Sequence, residues 1–445
     1  MRRVLAISLL SLRAAFRFRV VLVMTLLLIG GVILLPLVIK DDGTARGFTQ
    51  IILTYTLSLT TALLGFATLW LSCGILAREI EEAQLQMVVV KPIARWQIWF
   101  GKWLGILMLN ALLLTIAGVG IYGMMQWRAR NLSAREQETL RNEVFVARKV
   151  AREAPTDYDL KARQVVAQKL KASAPPEGLS IPQVQTIIRE QLKSRDQLVA
   201  PNRRRVWHIY VGDPGAFQNR PFTIRARFDP PTPDSNERFP TFWEFGNLNS
   251  NRQYKTNFVM LAEAYVEFPI PANLVDEKGY LDIRFDNLTD KALLFPDDGM
   301  EVLYRIGGFG ANFVRGLAVI FCWLGLLAAL GLTGATFLSF PVAAFCSVAV
   351  LLLGLSTSTL KQIVEENGIL AVDPNTGRAD SPGVLNVIAV PIAKGLLGTM
   401  NLARGFSPVD NLSSGRAITW GELFRAFLQI CVLMSGFLAV IGIAI

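Results

Sequence analysis

Hydrophobic positions along this 445-residue chain gather into long unbroken runs. Residues 20–39, 51–76 and 103–125 contain no charged side chain. A helix rises about 1.5 Å per residue, so about 20 apolar residues cross the hydrocarbon of a bilayer. Residues 316–360 stay uncharged for roughly twice that length. They predict two antiparallel helices turned at Ser339-Phe340-Pro341, because a proline keeps its predecessor out of the helical region. A last run occupies 426–445. The pattern predicts six spans in two groups of three, parted by a polar insertion. Residues 384–402 are mostly apolar but hold Pro391 and Lys394 near their middle. A lysine at mid-bilayer costs about 2.5–3.5 kcal/mol, so this segment reads as interfacial or re-entrant rather than as a seventh span.

The insertion, residues 127–310, changes pattern partway along. Residues 127–203 predict helices. Ser133-x-x-Glu136 has the form of a capping box. Thr156 and Ser180-Ile-Pro182 offer two further helix starts, and Pro-Pro-Glu-Gly at 175–178 separates them. From 204 to 310 the apolar residues alternate instead, at 222–228, 264–270, 280–285 and 301–306. Turn-forming residues at 229–234, 276–279 and 297–299 part these stretches. Seventeen aromatics between 204 and 305 suffice to fill a small core, which predicts an antiparallel β-sandwich of jelly-roll or immunoglobulin type. Trp207 and Trp243 are expected in that core; the competing use is an exposed surface for an envelope glycan, lipid or protein. The expected fold is an α-helical polytopic membrane protein, six spans as 3+3, with a large extracytoplasmic α+β insertion. Its divisions are 1–126, 127–203, 204–310 and 311–445.

Composition narrows the chemistry. AVILMFWYC residues make up 52% of the chain and charged residues 18%. All four cysteines lie in apolar runs, which argues against a disulfide framework. A single histidine, His208, is too little for a histidine metal centre or a Ser–His pair, and no acidic pair lies inside a span. The net charge of +10 is unevenly placed. Residues 128–203 hold 15 basic and 9 acidic side chains, 15 − 9 = +6. The first 19 residues carry five arginines and no acid, and the loop 77–102 adds Arg78, Lys91, Arg95 and Lys102. The positive-inside tendency assigns both to the cytosol and leaves 127–310 outside a plasma (inner) membrane. Arg2, Arg3, Arg13 and Arg17 share about 100° of one helical face, as in a helix lying on anionic lipid.

The loop 77–102 is the most informative stretch. An acidic, helix-favouring start over 78–86 leads through apolar 87–90 to Lys91-Pro92 and a cationic segment. It predicts a short rigid helix parallel to the membrane. Glu79, Glu81 and Glu82 are expected to face water or a basic partner, and Arg95 and Lys102 to anchor at headgroups. The loop resembles the coupling region of type 2 ABC transporter permeases. There an acidic residue precedes a leucine, then come Lys/Arg-Pro-x-x-Arg and a Gly-Lys at the third span. Glu82, Leu85, Lys91-Pro92, Arg95 and Gly101-Lys102 stand at those positions. Pro408-x-Asp410-x4-Gly415-x4-Trp420 is similar to that family's exit loop. Ala83-Gln84 departs from its usual Gly-Thr. The resemblance covers 1–126 and 311–445.

What the resemblance implies is the permease subunit of an ATP-driven exporter. A separate ABC ATPase subunit would dock on the loop, and a second permease subunit, identical or related, would complete the pore. Gly101-Lys102 runs into Trp103, and no Gly-x4-Gly-Lys-Ser/Thr occurs in the sequence. The chain is therefore expected to be no enzyme by itself, with ATP and magnesium held by the partner. No feature calls for nucleic acid. Gly101-x3-Gly105 and the glycines at 325, 331 and 334 are expected to permit close helix packing. The alternative function is a non-transporting anchor or mechanotransmitter that organises extracytoplasmic envelope partners.

Overall fold

Two of the apolar runs, 51–76 and 103–125, fold within helices longer than the runs themselves. In the computed structural model, the described residues are 2–17, 19–39, 45–82, 93–140, 144–172, 181–212, 222–230, 237–246, 252–355 and 408–444. The helices before the insertion are α1 (Arg2–Arg17), α2 (Arg19–Val38), α3 (Ala45–Glu81), α4 (Arg95–Ala129) and the short α5 (Ala134–Thr139). Within the insertion lie α6 (Tyr158–Ala172) and α7 (Ile181–Gln197). After it come α8 (Phe309–Gly334), α9 (Phe340–Leu355) and α10 (Pro408–Ser413). The last helix opens as α11 (Trp420–Ala426), widens into a π-helical stretch over Phe427–Met434, and ends as α12 (Ser435–Ala444).

Among the described residues, five helices are long and apolar enough to cross a membrane: Val21–Val38, Ile51–Glu81, Arg95–Ala129, Phe309–Gly334 and Trp420–Ala444. The chain is a membrane protein on that ground. The long run 316–360 does break where the proline asked for it, with α8 ending at Gly334 and α9 starting at Phe340. The segment 384–402 lies outside the described residues.

Two units divide the chain: Met1–Ala147 with Gly307–Ile445, and Arg148–Ile306. The expected insertion at 127–310 is thus narrower. Residues 127–147 stay with the first unit because α4 runs on to Ala129, and Ser133 then caps α5 by accepting from the Glu136 N–H at 3.3 Å.

In the first unit small residues set the helix spacing. A Cβ on Gly101 would come within 2.7 Å of the Ile7 side chain, and one on Gly105 within 2.7 Å of Ser11 Cβ and Ser8 O. Those glycines hold α1 against α4, so the expected close packing is spent inside the chain. Ser8, Ser11 and Ala15 are buried there, while Leu5, Leu9 and Phe16 are exposed. Gly331 takes Ser72 of α3 in the same way, and Gly325 takes Cys431; at Gly334 an added Cβ would make only ordinary contact. Buried hydroxyls on α3 bond back to the preceding turn, Thr56 to Ile52 O (2.5 Å) and Thr68 to Leu64 O (2.6 Å), which lets them sit in an apolar interior. Thr68 also meets the Asn110 amide of α4 at 3.0 Å.

The second unit is a two-sheet sandwich with a helical hairpin. Its strands are β1 (Val146–Ala151), β2 (Leu198–Val199), β3 (Arg204–Tyr210), β4 (Phe222–Ala226), β5 (Arg238–Phe245), β6 (Tyr254–Leu261), β7 (Val266–Ile270), β8 (Tyr280–Asp286), β9 (Leu293–Leu294) and β10 (Met300–Gly308). One sheet runs β1-β10-β4-β7, the other β3-β8-β5-β6, and β2 pairs with β9. Strand β1 falls in the stretch read as helical. Asp157, not Thr156, caps α6 by accepting from the Leu160 N–H at 2.9 Å. Apolar faces of both sheets share one core, with Phe222, Ile224 and Val302 from the first and Trp207, Trp243, Phe245 and Phe285 from the second. Trp243 is fully buried, 4.7 Å from the Phe285 ring centre, and its Nε1 donates to Thr241 Oγ1 at 3.0 Å. Both tryptophans are core. Gly279 turns the chain at a φ of +85°, with Asp276 Oδ1 accepting from Lys278 N (3.0 Å) and Tyr280 N (2.7 Å).

Candidate functional site

The motif-bearing loop leaves α3 and enters α4, and both helices reach further into it than their apolar runs. Residues 77–82 contain no glycine or proline, so α3 continues through Glu81 rather than yielding to a separate helix at 78. Likewise α4 starts at Arg95, eight residues before its uncharged run. Leu85, Lys91 and Pro92 lie outside the described residues.

This geometry corrects the expected roles of three residues. Lys102 does not reach headgroups: it is 3% exposed, and its Nζ donates to Glu79 Oε2 at 2.5 Å. Glu79 therefore faces α4 rather than a partner. Removing a charge from water is costly unless a counter-charge meets it, and here each supplies the other. Glu81 is also engaged. Its Oε1 accepts from the Phe340 N–H at 3.1 Å, placing a carboxylate on an unpaired donor at the start of α9. Arg78 lies over the Phe340 ring at 5.0 Å and Trp70 meets it edge-on at 5.2 Å. Glu82 and Arg95 are exposed, one on each side of residues 83–94. Gly101 lies beneath α1.

One end of the membrane unit is thereby tied together: the end of α3, the start of α4, the start of α9 and the whole of α1. Four aromatics thicken it, Trp99 stacking on Trp103 at 6.3 Å, with Trp96 and Phe100 beside them. Trp103 Nε1 donates to Gly325 O at 2.8 Å and Thr333 Oγ1 to Leu438 O at 2.9 Å, which adds α8 and α12. Arg2, Arg3 and Arg13 are exposed on α1; the side chain of Arg17 is not among those described.

The Glu79–Lys102 contact carried a sequence signal that went unread. The two positions stand almost equally far from the centre of the loop, and antiparallel helices bring such positions together. A charge at the same depth on each is the mark of a pair.

The other end of the unit holds the expected exit loop. Asn312 is buried on α8, where its Oδ1 accepts from Ile418 N at 2.7 Å and its Nδ2 donates to Arg416 O at 2.8 Å. Arg315 donates to Ile418 O and lies over Trp420 at 5.5 Å. Gly415 turns at a φ of +70°, and Thr419 with Glu422 forms a full capping box at the start of α11.

The second unit holds buried charge of its own. Burial opposes the Glu244 carboxylate, but Lys255 at 3.1 Å and Arg284 at 3.2 Å outweigh it and hold its pKa below the usual carboxylate range. Glu301 is fully buried between Arg152 and Arg225. His208 Nδ1 sits 2.7 Å from Asp282 on the paired strand. No family model, curated protein or solved structure matches the chain.

Proposed function

We propose that this chain is the membrane subunit of an ATP-driven exporter of the type 2 ABC permease kind, worked by a separate ATPase. One observation carries the reading. Residues 82–95, which hold the motif up to Arg95, join two long apolar helices that are locked side by side by Glu79–Lys102 and tied to α9 by Glu81. A push delivered there moves three helices as one body, since the ion pair and the cap leave them little freedom to slide. Glu82 and Arg95 are exposed charges at the two ends of that segment, where a docking partner would reach them. On this reading a second permease subunit completes the pore, the N-terminus is cytosolic, and the sandwich unit lies outside a plasma membrane.

Six crossings fit the same reading. Helix α9 starts at the Glu81 end, whereas α10 packs against α8 near Gly316, at the Asn312 end. On this reading α9 supplies the sixth crossing.

Purification of the full chain from its own membranes tests the proposal. An ATPase polypeptide is expected to co-purify, and Glu82→Lys with Arg95→Glu is expected to uncouple its hydrolysis from transport. If cysteines along 82–95 crosslink to no ATPase, with or without nucleotide, the proposal fails.

A further inference from the structure

Helices α4 and α8 run side by side over residues 111–123 and 310–321. They leave a groove of about 730 Å³ between them. That volume lies within the range of about 300–1,000 Å³ of sites that enclose small ligands. Thr115 and Tyr122 on one wall and Phe313, Leu317 and Phe321 on the other are among its lining, and no charged side chain lines it. Gly118 lets Leu317 close the floor, where an added Cβ would stand 2.4 Å from Leu317. At Gly123 the opposite holds: a Cβ there would meet nothing within 4 Å. The Tyr122 ring closes the upper part, stacked near-parallel to Phe309 at 6.4 Å.

Past the groove, the end of α4 carries a cation. Tyr122, Gln126 and Arg130 follow one another at four-residue steps and continue the lining row of α4. Gln126 is exposed; Arg130, the C-terminal cap of α4, is exposed too, with no ion pair among the described residues. An apolar trough that ends under a cation fits an amphiphile: carbon below, anion above. It does not fit a second copy of the chain across a twofold axis. Groove would then face groove, and the two copies of Arg130 would be brought together.

We infer that this groove binds an acyl chain of an anionic bilayer phospholipid whose phosphate is met by Arg130. The site needs no ATPase and stands apart from the transport reading, so the two can fail separately. Reconstitute the full chain in phosphatidylcholine vesicles containing phosphatidylglycerol with a diazirine in one acyl chain, irradiate, and map the labelled peptides. Label is expected to concentrate on 111–123 and 310–321. Gly123→Phe, which has room for its ring, is expected to fill the groove and cut labelling about tenfold. Val119→Trp on the rim serves should the first variant melt below the parent. Arg130→Glu is expected to cut phosphatidylglycerol labelling about tenfold and to lower labelling by a phosphatidylcholine probe, whose phosphate is balanced by choline, by less. Equal label on the exposed Leu26, Leu34 and Val440, unaffected by Gly123→Phe, would overturn the inference. So would a Val119→Cys variant that forms a disulfide between two copies, since the groove would then be a protein interface.

Discussion

The two units bury charge under different constraints. In the sandwich the charged partners face each other on paired strands, Glu301 opposite Arg225 and Glu244 opposite Arg284, each with a second cation, Arg152 or Lys255. Strand register puts them there, and the ladder of backbone bonds stands without them. In the membrane unit Glu79 and Lys102 come from helix ends that share no backbone bonds. Their contact adds a charged tie to an α3–α4 seam that Thr68 and Asn110 also hold.

That contrast can be broken, starting with the largest effect. If the sandwich rests on its aromatic core, Trp243→Ala will cost about 3–5 kcal/mol, read as the near-UV melting transition of the full chain. A loss below about 1 kcal/mol would shift the weight back to the charge ladders. Next, Glu79→Ala strands a buried ammonium and should cost about 3 kcal/mol of thermal stability in detergent. Glu79→Leu combined with Lys102→Met should restore most of it. A double variant no better than the single would show that the charges do more than hold the helices. Gly105→Leu, which overfills the seam with α1, is expected to cost about 1–3 kcal/mol and to expose α1 to protease.

The smallest effect concerns pH. The Glu244 carboxylate has a folded pKa below its unfolded one. Its contribution is complete above about pH 4.3 and is lost as pH falls through the folded value. Acid unfolding of the sandwich should therefore become less steep in Glu244→Gln, while the membrane helices keep their transition.

Sequence reading succeeded where one property decides the structure. An uncharged run of span length has little alternative to a helix, and the break before Pro341 followed from one steric clash. Helix ends were harder to read, because Ala77 and its charged neighbours extend a helix as well as an apolar run does. Strand β5 was missed because Arg238–Phe245 carries a proline and neighbouring aromatics in place of clean alternation. Strand β1 was missed for a different reason: its partner β10 lies some 150 residues on, and no local pattern announces so distant a pairing. At the motif, the residue types were legible, but their partners were not. Glu79 and Glu81 look like free acids until α4 and α9 are brought beside them.

Of the four thiols, Cys73, Cys322 and Cys431 are sealed inside the helix packing, and Cys346 alone is open. It lies six residues into α9, about 9 Å along the axis from the start that Glu81 caps. A maleimide dye or nitroxide will thus settle on a single spot of the unmutated polypeptide. Quenchers held at known depths can then gauge how far that helix sinks into lipid, with no engineered cysteine to disturb it.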